Sequence, residues 1–193
     1  IVAFVHDTLG TAVNNGLLSE VPYTSQIQDE NTPESVAAFT YEDTLYAYPY
    51  VAESITVMYD KTKLSASDLV SFDSLLASGK KIALTMSGDG SGYYGFGVLN
   101  DTVLFGEDGT EADNLDLATD GAVHNLHSLC TTYATTIVNT DPDTALALMG
   151  TGEVDGIVTS PYLWDSVKEN LGASAGLAVL PSINGEAQRP FSG

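Results

Sequence analysis

Short β-branched apolar runs alternate with helical patterns along most of this chain, and few folds accommodate that alternation. The sequence predicts strands over Ile1–Val5, Thr44–Tyr50, Ser54–Tyr59, Ile82–Met86, Gly156–Thr159 and Gly176–Leu180. Between them, Thr32-Pro33-Glu34-Ser35 reads as a helix start, with Thr32 as cap and Pro33 in the first helical position. Further helices are predicted over Asp68–Ser78, ended by Gly79, and over Tyr93–Phe105, Ala118–Val138, Asp143–Met149 and Tyr162–Leu171. In the longest of these the expected buried stripe is Val123, Leu126, Cys130, Tyr133 and Ile137, which makes Cys130 a small core residue. Asn14-Asn15-Gly16 marks a turn, and Glu107–Asp113 is an acidic loop. Strands alternating with helices mean an α/β fold.

Charge narrows the partners. The chain has 193 residues, 26 acids against 6 bases, and a net charge of −20. No Lys or Arg occurs from Ile1 to Asp60, or from Ile82 to Val167. Nucleic acid and anionic membrane surfaces are repelled by such a chain, so a neutral ligand is expected. Cys130 is the single cysteine, so no disulfide forms within the chain. The chain opens on an apolar run and stops at Pro190-Phe191-Ser192-Gly193. A segment of a longer protein is therefore expected, with any signal or lipid anchor upstream.

Gly90-Ser91-Gly92-Tyr93-Tyr94-Gly95 fits G-x-G-x-x-G after an expected strand. A dinucleotide site also needs a tightly packed first helical turn, and the two bulky tyrosines there pack poorly over a cofactor. No Lys-Ser or Lys-Thr follows, which excludes a P-loop. His124 and His127 stand three apart without an obvious third ligand, and the acidic loop lacks EF-hand spacing. Neither a cofactor nor a metal is expected. No G-x-S-x-G elbow is present; the abundant carboxylates leave a pair at glycosidase separation open, but abundance alone does not point to one.

The aromatics carry more information. Tyr93 and Tyr94 follow the glycine-rich loop, Tyr162 and Trp164 follow the strand Gly156–Thr159, and Tyr46, Tyr48 and Tyr50 surround Pro49. Flat rings beside a few polar groups suit a sugar, whose C–H faces stack and whose hydroxyls need acceptors such as Asp7 or Glu53. Each ring taken singly reads first as a core residue; jointly, at loop ends after strands, they favour ligand binding.

"FVHDTLG" (Phe4–Gly10), "AYPYVAES" (Ala47–Ser54), "VMYDK" (Val57–Lys61), "SPYLW" (Ser160–Trp164) and "GLAVLPSINGEAQRPFSG" (Gly176–Gly193) occur in the order found in maltose/maltodextrin-binding proteins. In this the chain resembles the extracellular solute-binding proteins of ABC importers. "TGEVDGIVTSPYLW" is similar to that family's G-x-x-A-M-x-x-x-G-P-W-x-W stretch.

The resemblance implies a periplasmic-binding-protein-like fold of type II, mostly one α/β lobe with part of the other. Residues 1–48 would belong to the first lobe, 48–53 to a hinge crossing, 54–189 to the second lobe and 190–193 to the return crossing. It implies ligand contacts at Phe4, Asp7, Glu53, Ser91, Tyr93, Tyr94 and Tyr162. Phe4 stands where the family has a cleft tryptophan, and Tyr162 at the first tryptophan of G-P-W-x-W, the main stacking platform. Glu53 matches a hinge glutamate, and Tyr93 the tyrosine of an E-P-Y-F loop. Ser91 replaces that loop's glutamate, Thr8 a usual arginine and Ser160 a glycine. Trp164 matches the second tryptophan and reads as packing. The implied activity is capture of maltose or maltodextrin outside the cell and delivery to a membrane permease, without catalysis. The alternatives are a binding protein for another oligosaccharide, or a carbohydrate-active enzyme using carboxylates among Asp7, Glu53 and Asp89.

Overall fold

In the computed structural model, which describes residues 1–52, 54–86, 113–114 and 118–189, the chain forms two compact units. The first covers the described residues 1–52 and the second the described residues 54–189.

The first unit runs through a 3-10 turn, His6–Thr8, and three short helices, α1 (Leu9–Asn14), α2 (Thr24–Glu30) and α3 (Pro33–Ala38). α3 starts as expected. Pro33 occupies the first turn, and the Thr32 hydroxyl accepts the Ser35 N–H at 3.3 Å. A two-residue hairpin follows, pairing β1 (Thr40–Tyr41) with β2 (Thr44–Leu45). Val21, Ile27, Val36 and Leu45 form the small core, with Phe39 packed against it.

The hairpin turn is built from the wrong residues for its shape. Glu42 and Asp43 both adopt positive φ, 47° and 62°, the geometry in which Asn-Gly is favoured. Glu42→Asn with Asp43→Gly is expected to stabilise the chain by about 1 kcal/mol. The readout is a higher urea midpoint at unchanged slope. A lowered midpoint would show that these side chains contribute more than the strain costs.

Alternation along the strands sets the layers of the second unit. Its five strands are β3 (Thr56–Asp60), β4 (Ile82–Leu84), β5 (Ile137–Asn139), β6 (Gly156–Thr159) and β7 (Ala175–Ala178), in spatial order β5-β4-β6-β3-β7. β4 runs parallel to β5 and β6, whereas β3 is antiparallel to β6 and β7. Val57, Tyr59, Ile82, Leu84 and Val158 point to one face, where they meet Phe72 and Leu75 of α4 (Phe72–Ser78) and Leu129 of α5 (Asp120–Cys130). The residues between them, Met58, Ala83 and Ile157, point to the other face. There they meet Ala145 and Met149 of α6 (Pro142–Thr151) and Val167 of α7 (Trp164–Leu171). Helices therefore cover both faces of one mixed sheet, the expected α/β class.

Several elements differ from the sequence expectation. Residues 1–5 are not a strand: Ile1, Val2 and Val5 are exposed, and among the described residues no strand pairs with them. Of Thr44–Tyr50 only Thr44–Leu45 is strand, because the ladder with β1 ends there. α4 begins at Phe72 rather than Asp68, since the Ser71 hydroxyl captures the Ser74 N–H at 3.0 Å and fixes the start.

The expected helix over Ala118–Val138 is a shorter helix, α5, followed by turns and then β5. The β-branched residues Thr135 to Val138 belong to those turns and to β5, which pairs with β4. Of the expected stripe, Leu126, Tyr133 and Ile137 do meet the core, but the buried face of α5 is shifted from it. Ala122, Asn125, Ser128 and Leu129 are buried, while Val123 and Cys130 are exposed. Two polar residues sit on that face because Asn184 serves both, donating to Asn125 Oδ1 at 2.7 Å and Ser128 Oγ at 3.3 Å. Cys130 is thus a surface residue rather than part of the core. The helix expected over Tyr93–Phe105 lies outside the described residues, as does nearly all of the acidic stretch Glu107–Asp113.

Candidate functional site

The direction of the strands concentrates chain ends at one side of the second unit. β4, β5, β6 and β7 all finish at the edge where β3 begins. In α/β sheets such an edge is where loops leave the strands and ligands are held.

Tyr162 stands at this edge. β6 ends at Thr159, Pro161 opens a 3-10 turn (Pro161–Leu163), and α7 follows directly. Leu163 and Trp164 turn inward onto the core beneath α6 and α7, leaving Tyr162 outward with 63% of its surface exposed. Trp164 packs as expected. Its outer face carries the Lys168 ammonium 5.6 Å from the ring centroid, and that ammonium pairs with Asp165 at 2.9 Å.

Charge is distributed unevenly between the two edges. The described residues at the carboxyl edge include Thr56, Thr85, Asn139, Thr159, Ser160 and Tyr162, none of them charged. Asp141 is nearby, but its carboxylate caps α6 by accepting the Thr144 N–H at 2.9 Å. The hydrogen bonds from Thr144 hold its pKa below the usual carboxylate range. The opposite edge carries Asp60, Lys61, Lys63, Lys80, Lys81 and Asp155. Burial there opposes ionisation of Asp60. Two hydrogen bonds from Thr62, at 2.7 and 2.9 Å, together with Ser174 and the Lys63 charge, more than offset it and lower the pKa.

Three buried polar atoms have no hydrogen-bond partner among the described residues: Thr56 Oγ1, Ser160 Oγ and Gln188 Oε1. A buried polar group left unpaired costs about 1–3 kcal/mol, so each calls for an explanation. Ser160 holds the N-cap position of the turn that carries Tyr162, yet its hydroxyl caps nothing. No sequence motif flags these atoms, because an orphaned hydroxyl is visible only once its neighbours are placed.

Phe4 and Asp7 belong to the first unit, and Tyr162 to the second. Phe4 is half-buried, edge-on to Phe39 with centroids 6.1 Å apart and an interplanar angle of 86°. Asp7 is exposed in the first 3-10 turn. Tyr48 and Tyr50 are exposed near the end of the first unit. Glu53, Asp89, Ser91, Tyr93 and Tyr94 lie outside the described residues. His124 and His127 are both on the surface, and no group of three or more His, Cys, Asp or Glu suited to a metal ion occurs among the described residues. Likewise, no helix among them is long and apolar enough to cross a membrane.

The second unit is thus an α/β sheet covered on both faces that presents an exposed aromatic ring, Tyr162, at the carboxyl edge of its strands. Over residues 1–193 the chain matches the bacterial extracellular solute-binding proteins, and it belongs to that family. It is similar to the maltooligosaccharide ABC transporter solute-binding lipoproteins of Streptococcus pneumoniae strains R6 and TIGR4. Each is 24% identical over 97% of this chain and 48% of the relative. Among solved structures it is similar to the maltodextrin-binding protein MalE1 from L. casei BL23 without ligand, with a TM-score of 0.84, 20% identity and coverage of 97% of this chain and 51% of that one. A cyclo/maltodextrin-binding protein complexed with maltotetraose gives a TM-score of 0.80 at 22% identity, covering 98% and 52%. The chain thus has the fold of part of a maltodextrin-binding protein, and it spans about half the length of the relatives it matches.

Proposed function

We propose that this chain acts in an extracellular protein that captures maltose- or maltodextrin-type oligosaccharides and hands them to an ABC import system without chemical change. The observation that carries this reading is the Tyr162 ring, exposed directly after β6 at a sheet edge where Thr85, Asn139 and Thr159 also end strands or follow them. A ring stacks on the apolar face of a sugar, and hydroxyls and amides are the groups that pair with its hydroxyls. The family and the named relatives support the same reading.

Phe4, Asp7, Glu53, Ser91, Tyr93 and Tyr94 are further ligand contacts on the strength of the motif resemblance. Residues 1–48 are assigned to the first lobe, 48–53 to a hinge crossing, 54–189 to the second lobe and 190–193 to the return crossing. The partner that receives the sugar is a membrane permease, which places the protein outside the cell, periplasmic or lipid-anchored at the outer face of the cell membrane.

Calorimetric titration of maltotetraose into the whole gene product that carries this chain is the test. Saturable binding with no glycosidic cleavage is expected, accompanied by a rise in melting temperature with sugar concentration. Cleavage would make the protein an enzyme. Binding of another oligosaccharide in preference to maltodextrins would correct the substrate.

A further inference from the structure

The exits of β4 and β5 are lashed together beyond their last paired residues, Leu84 and Asn139. The Met86 N–H donates to Asn139 Oδ1 at 2.9 Å, the Thr85 hydroxyl to the Thr140 carbonyl at 2.7 Å, and the Thr140 N–H to the Leu84 carbonyl at 3.1 Å. A backbone N–H can only donate, so the amide atom that faces Met86 is the oxygen, and the orientation of the Asn139 amide follows. Its oxygen is taken up by the fold. Its NH2 group is not: no hydrogen bond among the described residues uses Asn139 Nδ2.

Position singles this residue out. Of the uncharged residues named at the carboxyl edge, only Asn139 and Tyr162 are exposed. Thr85 and Thr159 are buried, and the Thr56 and Ser160 hydroxyl oxygens are sealed. Ala83 of β4 pairs with Val138 on one side and Ile157 on the other. The ends of β5 and β6 therefore flank the end of β4, two strand spacings or about 10 Å apart.

We propose that Asn139 is a further ligand-contact residue, its amide N–H donating to an oxygen of a neutral sugar held at this edge. The proposal rests on the sugar-binding reading above. No Lys or Arg occurs from Ile82 to Val167, so this stretch offers no charged donor, and recognition falls to neutral groups. Sugar hydroxyl and ether oxygens accept what the amide gives. The donor is also oriented in advance, because turning the amide over would break the bond from Met86 and set N–H against N–H.

The test uses the whole gene product, titrated with maltotetraose as wild type, Asn139→Asp and Asn139→Ala. Aspartate keeps an oxygen for the Met86 N–H but has no N–H to give, so it removes the donor alone. Alanine removes both groups. Each variant is expected to bind about threefold to tenfold more weakly. The ligand-free melting temperature should hold in Asn139→Asp and fall in Asn139→Ala. A residue that only clips β4 to β5 predicts another split: Asn139→Asp binds as wild type does, and Asn139→Ala alone changes. That split, or affinity within about twofold of wild type in both variants, would overturn the contact. Affinity lost only in step with melting would likewise assign Asn139 to the fold and overturn it. Wild type that binds no maltotetraose would instead refute the sugar reading, and the contact with it.

Discussion

Phe72→Ala is expected to destabilise the chain by about 3–5 kcal/mol and lower its melting temperature by roughly 10 °C or more. Phe72 is among the largest side chains with no exposed surface, and its surroundings cannot easily close over the gap. It opens α4, whose start is held by the Ser71 cap, and its own N–H donates to the Ser182 carbonyl at 2.9 Å. Its ring meets Tyr133 with centroids 5.3 Å apart, and the Tyr133 hydroxyl is itself anchored on Asp73 at 2.9 Å. Backbone and neighbouring ring are therefore both pinned, and a truncated side chain leaves a cavity rather than a collapse. Urea unfolding provides the measurement. A loss below about 1.5 kcal/mol would show that this face of the sheet repacks freely. Val123→Ala, on the exposed side of α5, is the matched control, with a change within about 0.5 kcal/mol.

Particular elements show what could be read from the sequence. The strands Ile82–Leu84, expected as Ile82–Met86, and Gly156–Thr159 were legible because buried strands in an α/β sheet are continuously apolar, and short apolar runs between Gly and polar turns mark them. Val123 and Cys130 were misassigned because apolar spacing alone set the stripe. The buried face of α5 actually includes Asn125 and Ser128, which tertiary contacts with Asn184 make tolerable. Ile1–Val5 has strand composition but lacks a pairing partner among the described residues, and pairing is what makes a strand.

The candidate site divides in the same way. Tyr162 follows from local order, a strand then proline then an aromatic, and from the resemblance of S-P-Y-L-W. Thr56 and Thr159 are 103 residues apart (159 − 56) and share no motif, so only the register of β3 with β6 makes them neighbours.

Tyr162→Ala is expected to weaken maltotetraose binding by about tenfold to a hundredfold, the scale of removing one buried aromatic contact. Stability should scarcely change, since the side chain is 63% exposed and Leu163 and Trp164, not Tyr162, hold the turn against the core. Tyr162→Phe separates the ring from its hydroxyl. If stacking supplies the contact, phenylalanine keeps binding within about threefold, whereas a hydrogen-bonding role for the phenol predicts a loss close to that of alanine. Calorimetry and melting on the same three proteins decide between these outcomes. An alanine variant that binds as wild type does would remove the ring from the site, and one that melts early would make it a packing residue. Retained binding in the phenylalanine variant and loss in the alanine variant, at equal melting temperature, would show the ring face itself to be the contact surface, which is what an exposed tyrosine beside uncharged hydroxyls and amides is suited to provide.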